Sequence, residues 1–102
     1  MNEHIFQSYI DNITQCYGIN QSYIFSKGKD ISKIEHRQLF FYLCHKKGIP
    51  AIAIQSFIKK NNNFDIDLSN VARGIKKMQN KIDGDQDYLV IIKRLETIRE
   101  YA

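Results

Sequence analysis

The sequence predicts an all-α domain of about six helices, and three observations predict this fold class. Apolar residues recur at steps of three and four along most of the 102-residue chain, which is the period of an amphipathic helix. Glycines, capping residues and the single proline fall between these segments, where helices begin and end. The composition, 43% hydrophobic without a repeat or linker, is that of one compact domain spanning residues 1–102.

Two helices and a loop are predicted before residue 31. The first helix spans Asn2–Tyr17, where the apolar residues form one stripe, and Gly18 supplies its C-terminal stop. Asn20 or Ser22 caps a short second helix that carries Tyr23, Ile24 and Phe25. The polar loop Ser26–Asp30 follows.

The third predicted helix is the most apolar. Ser32 and Glu35 have the spacing of a capping box at its start. Its second half is apolar nearly all round, and Lys46, Lys47 and Gly48 end it. We therefore expect this helix to lie at the centre of the fold.

Three more helices are predicted after Gly48. Pro50 suits the first position of a short helix over 51–58, although the Ile and Ala content there would also suit a strand, and a polar turn over Lys59–Phe64 follows. Asp67 or Ser69 caps the next helix, with Val71, Ile75, Met78 and Ile82 inside. Asp85 or Asp87 caps a last helix, with Tyr88, Leu89, Ile92, Leu95, Ile98 and Tyr101 inside.

The whole chain has a net charge of +4. Its positive charge is concentrated in the middle of the sequence. Residues 26–81 hold twelve Lys and Arg and four acidic residues, whereas residues 1–25 hold two acidic residues and no Lys or Arg. This pattern favours one face for a polyanion, although an ordinary lysine-rich surface would give the same charge.

Several function classes lack their signatures. Two cysteines are too few for a disulfide scaffold, and the three histidines have no metal-ligand spacing, so we expect no metal site and no cofactor. No phosphate-binding loop, dinucleotide motif or catalytic constellation is present, so we expect neither an enzyme nor a small-molecule substrate. The N-terminal twelve residues lack a basic signal region, and we expect a cytoplasmic protein with no membrane association.

The most informative unit is the short apolar helix over 51–58 followed by the longer basic helix over 68–82. A short helix that braces a longer basic one is the arrangement by which helix-turn-helix proteins direct a helix into the major groove. We expect Asp67, Ser69 and Asn70 to contact bases or phosphates and Arg73, Lys76 and Lys77 to contact the backbone. A capped amphipathic helix with a solvated charged face would show the same spacing.

A family resemblance rests on these segments. Ser26-Lys27, Arg37-Gln38, and Asp67-Leu68-Ser69-Asn70-Val71 leading to Lys76-Lys77-Met78 resemble the C-terminal DNA-binding domain of the bacterial replication initiator DnaA. The resemblance runs from about Ile5 to Ile98 and implies a Trp-repressor-like helix-turn-helix fold without enzymatic activity.

The resemblance also implies roles for individual residues. Asp67 and Ser69 match the family's base-reading segment, whereas Leu68 replaces its His and Asn70 its second Thr. Lys29 takes the place of an Arg that enters the minor groove, Lys27 matches a second basic loop residue, and Arg37 matches an Arg near the DNA backbone. Leu68 retains an apolar contact for a thymine methyl group but cannot donate a hydrogen bond.

Two hypotheses follow. In the first, the chain binds duplex DNA through residues 68–82, supported by Ser26–Asp30 and by Lys46, Lys47, Lys59 and Lys60. It would be a bacterial or phage-encoded accessory at the nucleoid, in replication or transcription control, with replication or phage proteins as further partners. In the second, the fold is a protein-interaction module, with Phe64, Ile66 and Leu68 as its apolar patch.

Overall fold

The computed structural model describes residues 3–28 and 30–97, and these residues form six helices and no strand. The helices are α1 (Glu3–Tyr17), α2 (Gln21–Ile24), α3 (Ile31–Lys46), α4 (Ala51–Asn62), α5 (Leu68–Gly84) and α6 (Asp87–Leu95). The predicted all-α fold is therefore confirmed. None of these helices combines the length and the apolarity needed to cross a bilayer.

The predicted capping box at the start of α3 is wrong. The helix begins at Ile31, with Asp30 as its N-cap residue, so Ser32 lies inside the first turn. The Glu35 carboxylate accepts a hydrogen bond from the Tyr88 hydroxyl (2.9 Å) and lies 3.9 Å from the Lys81 ammonium. These tertiary partners take the carboxylate away from the helix start.

The helix predicted to end at Ile58 continues for another turn. Lys59–Asn62, predicted as a turn, are the last residues of α4, and the turn itself is residues 63–67. Asn63 ends the helix in the left-handed conformation, with φ of 49°, and its amide donates to the Lys59 carbonyl (3.0 Å). Asparagine tolerates this conformation, so it serves as a helix stop in place of glycine.

The inner face of α6 is only partly as predicted. Ile92 and Leu95 are buried and Tyr88 is half-buried, but Leu89 is exposed, which corrects its assignment to the inner face. The predicted inner residues Ile98 and Tyr101 lie outside the described residues. The Asp85 carboxylate accepts a hydrogen bond from the Asp87 amide (3.0 Å) at the start of the helix.

The predicted central position of α3 is confirmed. Every residue from 38 to 44 is buried, because α1, α2, α4 and α5 all pack against this helix. Phe40 is fully buried and contacts the rings of Phe6, Phe25 and Phe57 at centroid distances of 6.2, 5.6 and 6.2 Å. These rings form the aromatic part of a core that also buries many aliphatic side chains, and their burial contributes to hydrophobic stabilisation.

The contact between α3 and α5 is the most extensive between any two helices of the fold. It depends on Gly74, which is buried in the middle of α5. A Cβ atom at this position would lie 2.9 Å from Phe41 Cδ2 and 3.4 Å from Gln38 Cγ. The glycine therefore lets the two helices approach closely, and this sets the position of the outward face of α5.

Candidate nucleic-acid interface

The outward face of α5 carries the polar residues that the sequence singled out. At 100° per residue, these side chains fall within an arc of about 120°, opposite the buried Val71, Met78 and Ile82. All of them are exposed, namely Ser69, Asn70, Arg73, Lys76 and Lys77. The Arg73 guanidinium donates a hydrogen bond to the Asn70 side-chain oxygen, one turn away.

The turn between α4 and α5 fixes the start of this face. The Gln55 amide group on α4 donates to the Ile66 carbonyl (2.8 Å), which ties the turn to the preceding helix. Asp67 is the N-cap residue, but its carboxylate makes no capping hydrogen bond, so its oxygens remain available as acceptors. Leu68, the first helical residue, is 41% exposed beside it.

A groove of about 430 Å³ runs between α3, the turn and α5. Cationic side chains from both helices line it, together with apolar residues; its lining includes Ile34, Arg37, Phe64, Asn70, Arg73 and Lys77. The structure thus brings Arg37, which is distant in sequence, next to the cations of α5. Asp65 is the acidic residue in the same lining.

Arg37 is held in place by the preceding loop. Its Nε donates to the Ile24 carbonyl (2.7 Å), a second guanidinium nitrogen donates to the Ser26 carbonyl, and the guanidinium carbon lies 4.7 Å from the centre of the Phe64 ring. Burial lowers the pKa of this guanidinium, which nevertheless stays charged. Arg37 therefore supplies a fixed positive charge to the groove while anchoring the loop.

Lys33, which the sequence analysis missed, anchors the same loop. This side chain is only 5% exposed, and its ammonium donates to the Lys27 carbonyl (3.0 Å) and lies 4.9 Å from the centre of the Tyr23 ring. Lys27 itself is exposed. Lys29, proposed from the family resemblance, lies outside the described residues.

Four other predicted lysines are not among the residues that line the groove. Three of them form ion pairs, and both partners are exposed in two of these: Lys59 with Asp65 (2.9 Å) and Lys60 with Glu3 (2.9 Å). Lys46 pairs with the half-buried Glu96 (2.8 Å). Lys47 follows the C-terminal end of α3, about 9 Å along the helix axis beyond Phe41, the last residue of α3 that lines the groove. Lys59 and Lys60 line a cleft with Asp67 beside the turn, next to the start of α5. Lys46 and Lys47 lie at the C-terminal end of α3 and would act through the overall positive field.

The structural roles of Gly74 and Lys33 were not predicted from the sequence, and the sequence gives a signal for only one of them. Gly74 interrupts a strong amphipathic pattern at a cost of about 1 kcal/mol relative to alanine, which indicates a packing requirement. Nothing in the local sequence distinguishes Lys33 from an exposed lysine, because its burial depends on the Tyr23 ring and the Lys27 carbonyl.

The structure also shows how the potential metal ligands and the thiols are arranged. Among residues 3–28 and 30–97, no three His, Cys, Asp or Glu side chains lie close enough together to hold a metal ion. Cys44 is fully buried, and burial raises the pKa of its thiol, so it has the environment of an inert core thiol. Cys16 is exposed.

Comparison of the chain with protein-family models, with curated protein sequences and with solved structures gives no match.

Proposed function

We propose that this protein binds duplex DNA without catalysing a reaction, by placing α5 in the major groove. The observation that carries the proposal is the division of α5 into two faces. One face is packed into the core, and the opposite face presents Ser69, Asn70, Arg73, Lys76 and Lys77 to solvent. A major groove about 12 Å wide admits one helix whose side chains reach base edges and phosphates in this way.

The groove between α3 and α5 supports the same reading. Arg37, Arg73 and Lys77 converge on it, so a phosphate backbone that follows α5 would meet cations from two helices. Each phosphate neutralised releases condensed counterions, and binding should weaken steeply as salt is raised.

Base recognition would come from the first turn of α5. The Asp67 carboxylate, which makes no capping hydrogen bond, can accept a hydrogen bond from the cytosine amino group. The exposed Leu68 side chain can contact a thymine methyl group. Because Leu68 and Asn70 differ from the family segment that they resemble, we expect a target other than the initiator box. The resemblance supports a role in replication or transcription control at the bacterial nucleoid.

Charge reversal on α5 tests the proposal by fluorescence anisotropy of labelled duplexes. The double variant Arg73→Glu/Lys77→Glu should lose binding at least 100-fold, because it removes two phosphate contacts and adds repulsion. The matched control is Lys93→Glu/Arg94→Glu on α6, which changes the net charge equally at two exposed positions. The control should retain affinity within about threefold, since those charges lie outside the proposed interface.

Equal losses in the two double variants would mean that net charge alone drives binding, and the proposed interface would be wrong. No binding by the parent protein at low salt would favour the protein-interaction hypothesis. Its patch is smaller than the sequence predicts, because Phe64 and Ile66 are half-buried and only Leu68 is exposed.

A further inference from the structure

The groove between α3 and α5 contains groups that a phosphate backbone would not use. Phosphates bind cations and other hydrogen-bond donors, which Arg73 and Lys77 provide. Apolar side chains also line the groove, namely Ile34, Phe41, Phe64 and Ile66. Its volume of about 430 Å³ lies in the range of small-molecule sites, which are mostly apolar with a few polar groups. The apolar part of the groove therefore suits a second kind of ligand.

Gln38 places an unpartnered polar atom among these apolar side chains. This residue lines the groove and is only 7% exposed. Its side-chain oxygen is buried and has no hydrogen-bond partner among the described residues. Buried acceptors are normally satisfied by the protein, by water or by a ligand, because an unsatisfied one is destabilising. The glutamine side chain has several rotatable bonds, so its amide can turn to an N–H donor on a ligand in the groove.

The charge of the groove favours an anion. Arg73 and Lys77 are exposed and lie four residues apart, so they project from the same face of α5 on successive turns. The Arg73 guanidinium donates to Asn70 and keeps further N–H groups for a ligand. Arg37 adds a fixed positive charge from α3, although loop carbonyls already accept from two of its nitrogens. Against these three cations the lining holds one acidic residue, Asp65.

We propose that this groove binds a small aromatic carboxylate that carries an N–H donor, and that this ligand competes with DNA. The aromatic body packs on the apolar lining, and the N–H donates to the Gln38 oxygen. The carboxylate accepts charge-assisted hydrogen bonds from Arg73 and Lys77. Because the proposed function assigns the same two cations to phosphates, the bound ligand withholds them from the duplex.

The site is tested without DNA, by NMR titration of ¹⁵N-labelled protein with three probes that share one naphthalene ring system. The full probe, 5-amino-1-naphthoate, carries both the donor and the anion, whereas 1-naphthoate lacks the donor and 1-naphthylamine lacks the anion. The full probe should shift the amide signals of the groove residues. It should bind about fivefold more tightly than 1-naphthoate and at least tenfold more tightly than 1-naphthylamine, because charge-assisted hydrogen bonds are stronger than neutral ones.

Two sets of variants locate the donor and anion contacts. Gln38→Met removes the unpartnered amide and should keep the fold; it should abolish the preference for the full probe over 1-naphthoate while 1-naphthoate affinity stays within about threefold. Arg73→Gln/Lys77→Gln should weaken the full probe at least tenfold. The matched control, Lys93→Gln/Arg94→Gln on α6, removes two exposed cations that do not line the groove and should retain affinity within about threefold.

The competition rests on the proposed DNA binding, so it is measured separately by anisotropy of a labelled duplex. With the full probe at about ten times its dissociation constant, the apparent Kd for the duplex should rise about tenfold. An unchanged Kd would overturn the competition. Equal affinity for the three probes, or no shift of groove signals, would overturn the site and leave the proposed function intact. Probe binding at the groove by a protein that binds no duplex would refute the proposed function and support the site alone.

Discussion

Replacing Gly74 by alanine is expected to destabilise the protein through a single contact between α3 and α5. The new Cβ would lie 2.9 Å from Phe41 Cδ2, and the Phe41 ring, 3% exposed, is enclosed by the core and has little room to move. Overpacking of this kind costs about 1–3 kcal/mol, whereas alanine gains up to about 1 kcal/mol over glycine in a helix. Gly74→Ala should therefore lower the free energy of unfolding by about 1 kcal/mol relative to the parent protein.

Gly84→Ala is the matched control, because it makes the same substitution in the same helix with no atom within 4 Å of the new Cβ. It should be neutral or slightly stabilising, so the free energy of unfolding of Gly74→Ala should lie about 1–2 kcal/mol below that of Gly84→Ala. Urea denaturation followed by circular dichroism measures both. Equal stability of the two variants would refute the close approach of α3 and α5.

Three further predictions concern individual side chains. Burial lowers the pKa of His36, so the folded state binds fewer protons than the unfolded chain. The free energy of unfolding should therefore fall as the pH drops below the ordinary pKa of histidine. His36→Gln should flatten this pH dependence, and an unchanged pH profile of stability in the variant would contradict the prediction. A thiol reagent should modify Cys16 in the native protein and Cys44 only after unfolding; rapid native modification of both thiols would contradict the burial of Cys44. Arg37→Lys should cost about 1–2 kcal/mol and speed amide exchange in residues 26–28, because one ammonium cannot reach both carbonyls; Arg94→Lys is the exposed control.

The fold was predictable where the signal is local. The apolar second half of α3 indicated a central helix, as the structure confirms. The spacing of Val71, Ile75, Met78 and Ile82 indicated the inner face of α5; the structure buries three of them and leaves Ile75 half-buried against the core. The predicted start of α3 is wrong, because a tertiary contact determines the position of a side chain in its proposed capping box. The Ser32 and Glu35 spacing is a valid local signal, but Tyr88, 53 residues away, takes the Glu35 carboxylate.

The candidate site was predictable for α5 and not for its surroundings. The exposed face from Ser69 to Lys77 follows from helical periodicity alone. The structural role of Arg37 could not be predicted in this way, because its two carbonyl partners, Ile24 at the end of α2 and Ser26 in the loop, are positioned by the packing of α2 on α3. The ion pairs of Lys46, Lys59 and Lys60 likewise join residues that no sequence pattern connects.

The measurement that tests the central claim most directly is an NMR titration of ¹⁵N-labelled protein with a short duplex at low salt. The account predicts that amide signals from residues 67–77 and 26–37 shift or broaden, while those of α1 and α6 stay in place. It also predicts that the shifts reverse as salt is raised, because phosphate contacts dominate the affinity. Shifts concentrated on α1 or α6, or none at all, would contradict DNA binding through α5.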